Sequence, residues 1–336
     1  MEIHVSSYTP EWHNRLLEYM KEVYPHRNTS YFEWWLTNID HSDEECWEKC
    51  TIIMEGSCII GCTTVNDVLV LMDSTQKKIF FRGNTIISPN QRGKGISKKI
   101  YNRVNLYNNW ISVGVTDIAW KIQPKYVNEF TPINPVNVYV SLNLFGFVRY
   151  HVWRLLRRNT LKECKFPFYF DLGEKEELML VEKLEDMTFP KNGKWNEDDF
   201  EIIRDKNYFK WRFYDIYRSD KYHIYKYLSD GTTIGYLVLR NIVYKGLDMV
   251  SLVDFRFRKR DYETRALKAA TKVAGTCGIG LVMTLTSRRW GYMLSPLTIM
   301  TKKKLHRAVG MKDYAENFNE MLITSADSDL DFVYYK

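Results

Sequence analysis

No uninterrupted apolar run in this chain approaches the ~20 residues that a membrane-spanning helix needs. The opening residues Met1-Glu2-Ile3-His4-Val5 show no basic region followed by an apolar core, so no secretory signal is expected and the expected location is cytoplasmic. A strong excess of one charge is also missing. The 48 Lys and Arg against 41 Asp and Glu leave +7, which favours anionic ligands such as nucleotides without requiring nucleic acid. Neither nucleic acid nor a membrane is an expected partner, and the sequence leaves the oligomeric state open. Cysteine is scarce, with 6 in 336 residues. Four of them, Cys46, Cys50, Cys58 and Cys62, fall in a C-x3-C-x7-C-x3-C order. Zinc knuckles place their pairs closer together, and the second pair here flanks Ile59-Ile60-Gly61 in a strand-like run. No metal is therefore expected, and a cytoplasmic setting argues against disulfides.

What remains is the composition of an ordinary globular protein, 45% hydrophobic and 26% charged, long enough for two domains. Aromatics are abundant at 15%. One stretch organises the rest. The β-branched run from Lys78 to Ile87 predicts a buried strand, which Ser88-Pro89-Asn90 ends. After Gly95, apolar residues at Ile96, Ile100 and Val104 fall four apart, on one face of a helix. Gly93 and Gly95 thus stand where a strand hands over to a helix N-terminus. The first amides of a helix lack internal partners, and glycines let them close on a phosphate.

In that setting Arg92-Gly93-Lys94-Gly95-Ile96-Ser97 resembles the acyl-CoA pyrophosphate loop of the GNAT acyltransferase superfamily, Arg/Gln-x-x-Gly-x-Gly/Ala. Ser97 stands where the family has Gly or Ala. The resemblance implies an α/β fold with a mixed twisted sheet flanked by helices. It implies acetyl-CoA or another acyl-CoA as co-substrate, with the pantetheine arm along Ile86 and Ile87. An Asn that helps hold the cofactor is implied at Asn134, with Asn137 as a rival. A general acid for the departing thiolate is implied at Tyr139, on a helix read over Val136–Leu144 that ends at Gly146. Ahead of it Ile111 to Ile122 reads as a strand and Phe130 to Pro135 as a loop. Behind it Val148 to Trp153 reads as a closing strand.

The chain then repeats itself. Tyr208-Phe209-Lys210-Trp211-Arg212 resembles Tyr31-Phe32-Glu33-Trp34-Trp35, and Asp230-Gly231 before Ile234-Gly235 resembles Glu55-Gly56 before Ile60-Gly61. Near the end Ala308-Val309-Gly310-Met311 resembles Leu144-Phe145-Gly146-Phe147. With the strand read from Met249 to Phe257 and the helix carrying Ala266, Ala270, Val273 and Ala274 between the last two, four landmarks in one order predict two tandem related domains, 1–158 and 159–336. The second copy has no glycine from Leu247 to Ala274 and reads Arg258-Lys259-Arg260-Asp261-Tyr262-Glu263 at the loop. Side chains there block a pyrophosphate, so the second domain is expected to be structural or to serve the acceptor. Arg256 and Arg258 share a strand face that either meets an anionic acceptor or pairs with local carboxylates.

The expected function is acyl-CoA-dependent N-acyl transfer to a primary amine of a small molecule, such as an amino sugar or amino acid. The alternatives are a non-catalytic CoA-binding module, or a transferase taking its acyl group from acyl carrier protein or aminoacyl-tRNA. Glu33, Asp73, Asp254 and His151 are unranked candidates for the general base.

Overall fold

The computed structural model describes residues 2–25, 32–34, 36, 50–72, 75–156, 164–196, 200–214, 222–244, 246–290 and 297–327. Cys46 and Asp73 lie outside them. The chain divides into two compact units, Met1–Pro135 with Leu305–Asn319, and Val136–Lys304 with Glu320–Lys336. Residues 136–156, read from sequence as the end of the first domain, belong to the second unit, and a C-terminal segment belongs to the first.

In the first unit, β1 (Ile3–Ser7), β2 (Thr51–Glu55), β3 (Cys58–Met72) and β4 (Thr75–Ile87) pair antiparallel in sequence order. β4 then runs parallel to β5 (Trp110–Val115), and the Leu305–Val309 end of β13 (Thr298–Val309) runs antiparallel to β5. Helix α1 (His13–Val23) follows a turn with Pro10 at its first position and buries Leu16, Leu17 and Met20, at the spacing of one helical face. Helix α2 (Ile96–Val104) lays Ile96, Ile100 and Val104 on Ile53 and Ile60.

In the second unit, β7 (Tyr169–Gly173), β8 (Glu176–Leu180), β9 (His223–Ser229), β10 (Thr232–Tyr244) and β11 (Leu247–Phe257) pair antiparallel in turn. β11 runs parallel to β12 (Leu281–Thr286), and Asn137–Leu142 of β6 (Thr131–Leu142) runs antiparallel to β12. The short helix α5 (Lys206–Phe209) precedes β9, and helix α6 (Glu263–Thr276) buries Ala266, Ala270, Val273 and Ala274 against Leu237, Val250 and Phe255.

From β1 to β5 and from β8 to β12 the two units repeat one strand order, and β7 is an addition to the second. β4 bonds to β5 only over Phe80–Arg82, and β11 to β12 only over Val250–Leu252. Gly61 pairs with Ile87 at the end of β4, and Gly235 with Phe257 at the end of β11. Each of these strands carries one register shift against its antiparallel neighbour. Ser112 Oγ donates to Arg82 O, and Thr284 Oγ1 donates to Leu252 O. The sheet of each unit is closed by a strand from the other half of the sequence, β13 in the first and β6 in the second.

Several sequence expectations are corrected. The strand read over Ile111–Ile122 stops at Val115. Thr116 caps helix α3 (Asp117–Tyr126), accepting from the Ala119 amide, so the remaining apolar residues serve a helix. The loop and helix read over 130–144 are the single strand β6, for which the β-branched run Val136, Val138, Val140 is suited. The strand read over Val148–Trp153 lies inside helix α4 (Leu144–Leu156). The match of Leu144–Phe147 with Ala308–Met311 joins a helix to the end of a strand, so it is not a structural repeat. Cys164 and Cys277, 113 residues apart, form a disulfide with Cα atoms 5.3 Å apart, against the expectation of none. Their spacing carried no signal, because only the fold brings them together.

Candidate functional site

At the end of β4, Ser88 N still follows the sheet, donating to Ile60 O at 3.0 Å. The chain then leaves through a short 3-10 turn over Pro89–Gln91 and enters α2 at Ile96. Gly93 has φ 81° and Gly95 φ 77°, the left-handed region that glycine occupies without steric cost. A Cβ at either would meet no heavy atom within 4 Å, so the loop faces open space. The first helical amide with a backbone acceptor is that of Lys98, which donates to Gly95 O. No described hydrogen bond uses the amides of Gly93, Lys94, Gly95, Ile96 and Ser97, which stand at the positive end of the α2 dipole.

The loop is held from below. Gln91 is buried, and its Nε2 donates to Glu55 Oε2 at 2.9 Å. Lys94 Nζ in turn donates to Gln91 Oε1 at 3.0 Å, and Arg92 Nε donates to Ile87 O at 3.2 Å. Both cations are tied to the loop's own frame and exposed. Sequence reasoning missed Gln91 and Glu55, since 36 residues separate them. Arg82 was missed as well. Its Nη2 donates to Val104 O and Tyr107 O, at and just beyond the C-terminal end of α2, and its guanidinium lies 4.0 Å from the Trp110 ring centroid. A cation there opposes the negative end of the helix dipole. Burial pushes its pKa down to about 9.

Along β4, Ile86 is buried and Ile87 half-buried. The bonds between β4 and β5 stop at Arg82 and Ser112, although both strands continue. The two strands therefore leave backbone groups unpaired toward one another where an extended ligand could lie. Tyr19 on α1 reaches this strand end, where Ser88 Oγ donates to its hydroxyl at 3.4 Å, and burial raises the phenol's pKa. Cys62 is buried on β3, paired in register with Ile86, and burial pushes its thiol up to about 12.

The other expected residues lie elsewhere. Asn134 stands exposed on β6, with its amide donating to Asn319 Oδ1 and its carbonyl accepting from Arg307 Nε. Asn137 is buried on the same strand, in the second unit. Tyr139 also belongs to the second unit and sits on a strand, not on the expected helix. Its hydroxyl donates to Arg288 O at 3.2 Å and accepts from Trp290 N at 3.1 Å. Burial raises its pKa, which the Trp290 amide partly offsets. Of the base candidates, Glu33 and His151 are half-buried.

In the second unit the sheet bond at the strand end is kept, Arg258 N to Ile234 O at 2.9 Å. The connection Arg258–Tyr262 is then three residues shorter than Ser88–Gly95, and α6 starts at once. Its first residue, Glu263, is buried, and its carboxylate takes Arg288 Nε at 2.8 Å and Nη2 at 3.0 Å. A side chain thus supplies the anion at this helix start. Arg256, in register terms the counterpart of Ile86, is buried with Asp254, Glu201 and Asp327, so of its two readings the pairing with carboxylates holds. Asp254 also takes Arg204 Nε at 3.0 Å, which spends this base candidate on the core. Among the described residues, no group of three or more His, Cys, Asp or Glu could hold a metal ion. No helix among them is long and apolar enough to cross a membrane.

No protein-family model and no curated protein matches this sequence. Solved structures do. A GCN5-related N-acetyltransferase from Anabaena variabilis superposes with a TM-score of 0.58 at 10% identity, over 93% of this chain and 74% of that one. A probable N-acyltransferase from Enterococcus faecalis gives 0.56 at 11% identity, over 93% and 73%. The N-myristoyltransferase of Saccharomyces cerevisiae with bound myristoyl-CoA gives 0.52 at 12% identity, over 91% and 82%. With likeness over nine-tenths of its length, the chain has the mixed α/β fold of the GNAT N-acyltransferases, present in two copies of which one keeps an open glycine loop.

Proposed function

We propose that the protein is an acyl-CoA-dependent N-acyltransferase whose first unit holds the donor. The observation that carries this is the loop Arg92–Ser97, with two glycines in the left-handed region, open space above them and five consecutive amides without described acceptors. Those amides would take the pyrophosphate, with Arg92 and Lys94 adding positive charge at the rim. The pantetheine arm would lie along Ile86 and Ile87, using the backbone that β4 and β5 leave unpaired. An amide there would polarise the thioester carbonyl as charge develops on its oxygen. The acceptor is a primary amine of a small molecule, which must lose a proton before attack. Acetyl-CoA is the donor of first choice, since the loop favours a CoA pyrophosphate over an acyl carrier or an aminoacyl-tRNA. The exposed, polar setting of Asn134 is compatible with a cofactor contact.

Calorimetry with acetyl-CoA tests the reading. One site per chain is expected, weakened at least about tenfold by Gly95→Glu, which forces a carboxylate and a strained φ against the phosphates. Arg92→Ala, which leaves the backbone undisturbed, should weaken it by less. Thiol release from acetyl-CoA in the presence of an amine mixture then separates an enzyme from a CoA-binding module. Two equivalent sites, or affinity indifferent to both variants, would place the donor elsewhere.

A further inference from the structure

Helix α4 has two apolar faces, and only one of them is used. On the inner side Gly146 lets the helix approach α6 so closely that a Cβ would lie 2.8 Å from Gly275 Cα and 3.0 Å from Gly280 Cα. Tyr150, also on that side, is fully buried, and its hydroxyl donates to Asp248 Oδ2 at 3.0 Å. On the outer side Leu144, Phe145, Val148, Val152, Leu155 and Leu156 are all more than half exposed, with Phe145 and Leu155 at 77% and Leu156 at 78%. At about 100° of turn per residue these six fall within an arc of about 120°. Scattered surface leucines need no explanation, but a continuous bare stripe along a whole helix does.

We propose that this face of α4 lies on an anionic lipid surface, as an interfacial helix that does not cross it. Charge decides between the possible occupants. The helix contains no Asp or Glu, and its charged residues are Arg149 and Arg154. Arg149 is exposed and, by the same helical count, stands at the edge of the apolar arc. The sequence continues directly with Arg157 and Arg158. A helix that is apolar on one side, carries only cationic charges and sets one of them, Arg149, beside the apolar arc has the pattern that inserts shallowly among acidic headgroups. A second copy of the chain would bring a helix with two arginines and no carboxylate against itself, so no opposite charge on that helix would meet them. The expectation of no membrane partner rested on the absence of a spanning run, and the strand reading of Val148–Trp153 hid the helical stripe. The proposal is independent of the acyl-CoA reading.

Sedimentation of the full chain with phosphatidylcholine vesicles holding about 30% phosphatidylserine tests it. Binding at least about tenfold stronger than to pure phosphatidylcholine vesicles is expected. Raising salt from roughly 0.1 M to about 1 M, which cuts the Debye length from about 10 Å to about 3 Å, should release most of it. The combined variant Phe145→Ser, Leu155→Ser, Leu156→Ser should lose binding about tenfold with its melting temperature held, since these side chains are exposed. Arg149→Glu should lose severalfold. Absence of binding by the parent protein overturns the proposal, as does binding that the triple variant leaves unchanged. A concentration-dependent dimer that the triple variant abolishes, without vesicle binding, would assign the face to a second copy instead.

Discussion

The two loops, Ser88–Gly95 and Arg258–Tyr262, leave matching strands and enter matching helices, yet they solve opposite problems. In the first unit glycines hold the backbone open, and the helix start has no anion of its own. In the second unit the connection is cut short, and Glu263 provides the anion, clamped by Arg288. One step back along the strand, buried Ile86 corresponds to buried Arg256. Arg256 Nε lies 3.1 Å from Glu201 Oε2 and Nη1 2.8 Å from Asp254 Oδ1, and Arg204 bridges Asp254 and Asp327. Thr324 and Tyr236 donate hydroxyl hydrogen bonds to Asp254. The difference teaches that two units can keep one strand register while the strand-to-helix loop stands open in one and is closed by a side chain in the other. The buried charges of the second unit pair with one another, as charges taken out of water must.

The sharpest way to break this comparison is Arg256→Ala. Removing one cation leaves Asp254 and Glu201 buried and under-compensated, a change that costs about 3–5 kcal/mol in such networks. Chemical denaturation should read that loss, while acetyl-CoA affinity of the remaining folded protein stays at the parent value. A large loss of affinity at unchanged stability would mean that Arg256 faces a ligand after all.

Acid should act on the same network. Burial works to raise the Asp254 carboxyl, but Arg204 and Arg256 outweigh it and hold its pKa at about 2. A carboxyl that is more acidic folded than unfolded stabilises above its unfolded pKa of about 3.9, and the contribution vanishes as pH falls through about 2. The difference is worth about 2–3 kcal/mol. The urea midpoint should therefore drop between about pH 4 and pH 2, and the drop should shrink in Asp254→Asn. The first unit has no counterpart network among its described residues, so probes placed there should follow only if the chain unfolds as one.

The open loop was legible in the sequence because its requirement is local. Glycine at a strand-to-helix turn marks a left-handed backbone, and Ile96, Ile100 and Val104 mark the helix behind it. The closed loop was half legible. Missing glycines excluded a cradle, but nothing in sequence connects Glu201, Arg204, Asp254 and Asp327, whose meeting depends on tertiary contacts alone. Residues 130–156 were misread for a related reason. Pro132 and Pro135 suggested a loop, but both fall before the Asn137–Leu142 stretch of β6 that pairs with β12, and the doubly apolar α4 lacks the polar face that a helix reading looks for. The exchange of closing strands was invisible, because each pairs with a strand far away in sequence.

Gly61 and Gly235 sharpen the comparison at equivalent positions. A Cβ on Gly235 would lie 2.4 Å from Arg256 O and 2.5 Å from the Phe257 ring, whereas one on Gly61 would lie 3.2 Å from Ile86 O with Ile53 beyond. Gly235→Ala should cost roughly 1–3 kcal/mol by overpacking. Gly61→Ala needs a shift of only tenths of an ångström, so its stability cost should be the smaller of the two. Because the atom that must yield belongs to β4, acetyl-CoA affinity should respond to Gly61→Ala more than to Gly235→Ala. Equal responses in both readouts would remove the distinction between an open and a filled strand end.

The smallest effect expected on the chemistry itself concerns Tyr139. A general acid contributes typically ~10²–10⁴-fold to a rate. The Tyr139 hydroxyl, however, already donates to Arg288 O and accepts from Trp290 N, and burial raises its pKa. Those bonds fix the chain after β12, as expected of a structural tyrosine. Tyr139→Phe removes both and leaves the Trp290 amide and the Arg288 carbonyl to find other partners, at about 1–3 kcal/mol. Turnover with acetyl-CoA and an accepted amine should fall by less than about tenfold, in step with the fraction of protein unfolded at the assay temperature. A fall of about a hundredfold at unchanged melting temperature would instead make Tyr139 the acid. It would also put a catalytic hydroxyl in the second unit, ending the division in which that unit carries no part of the chemistry.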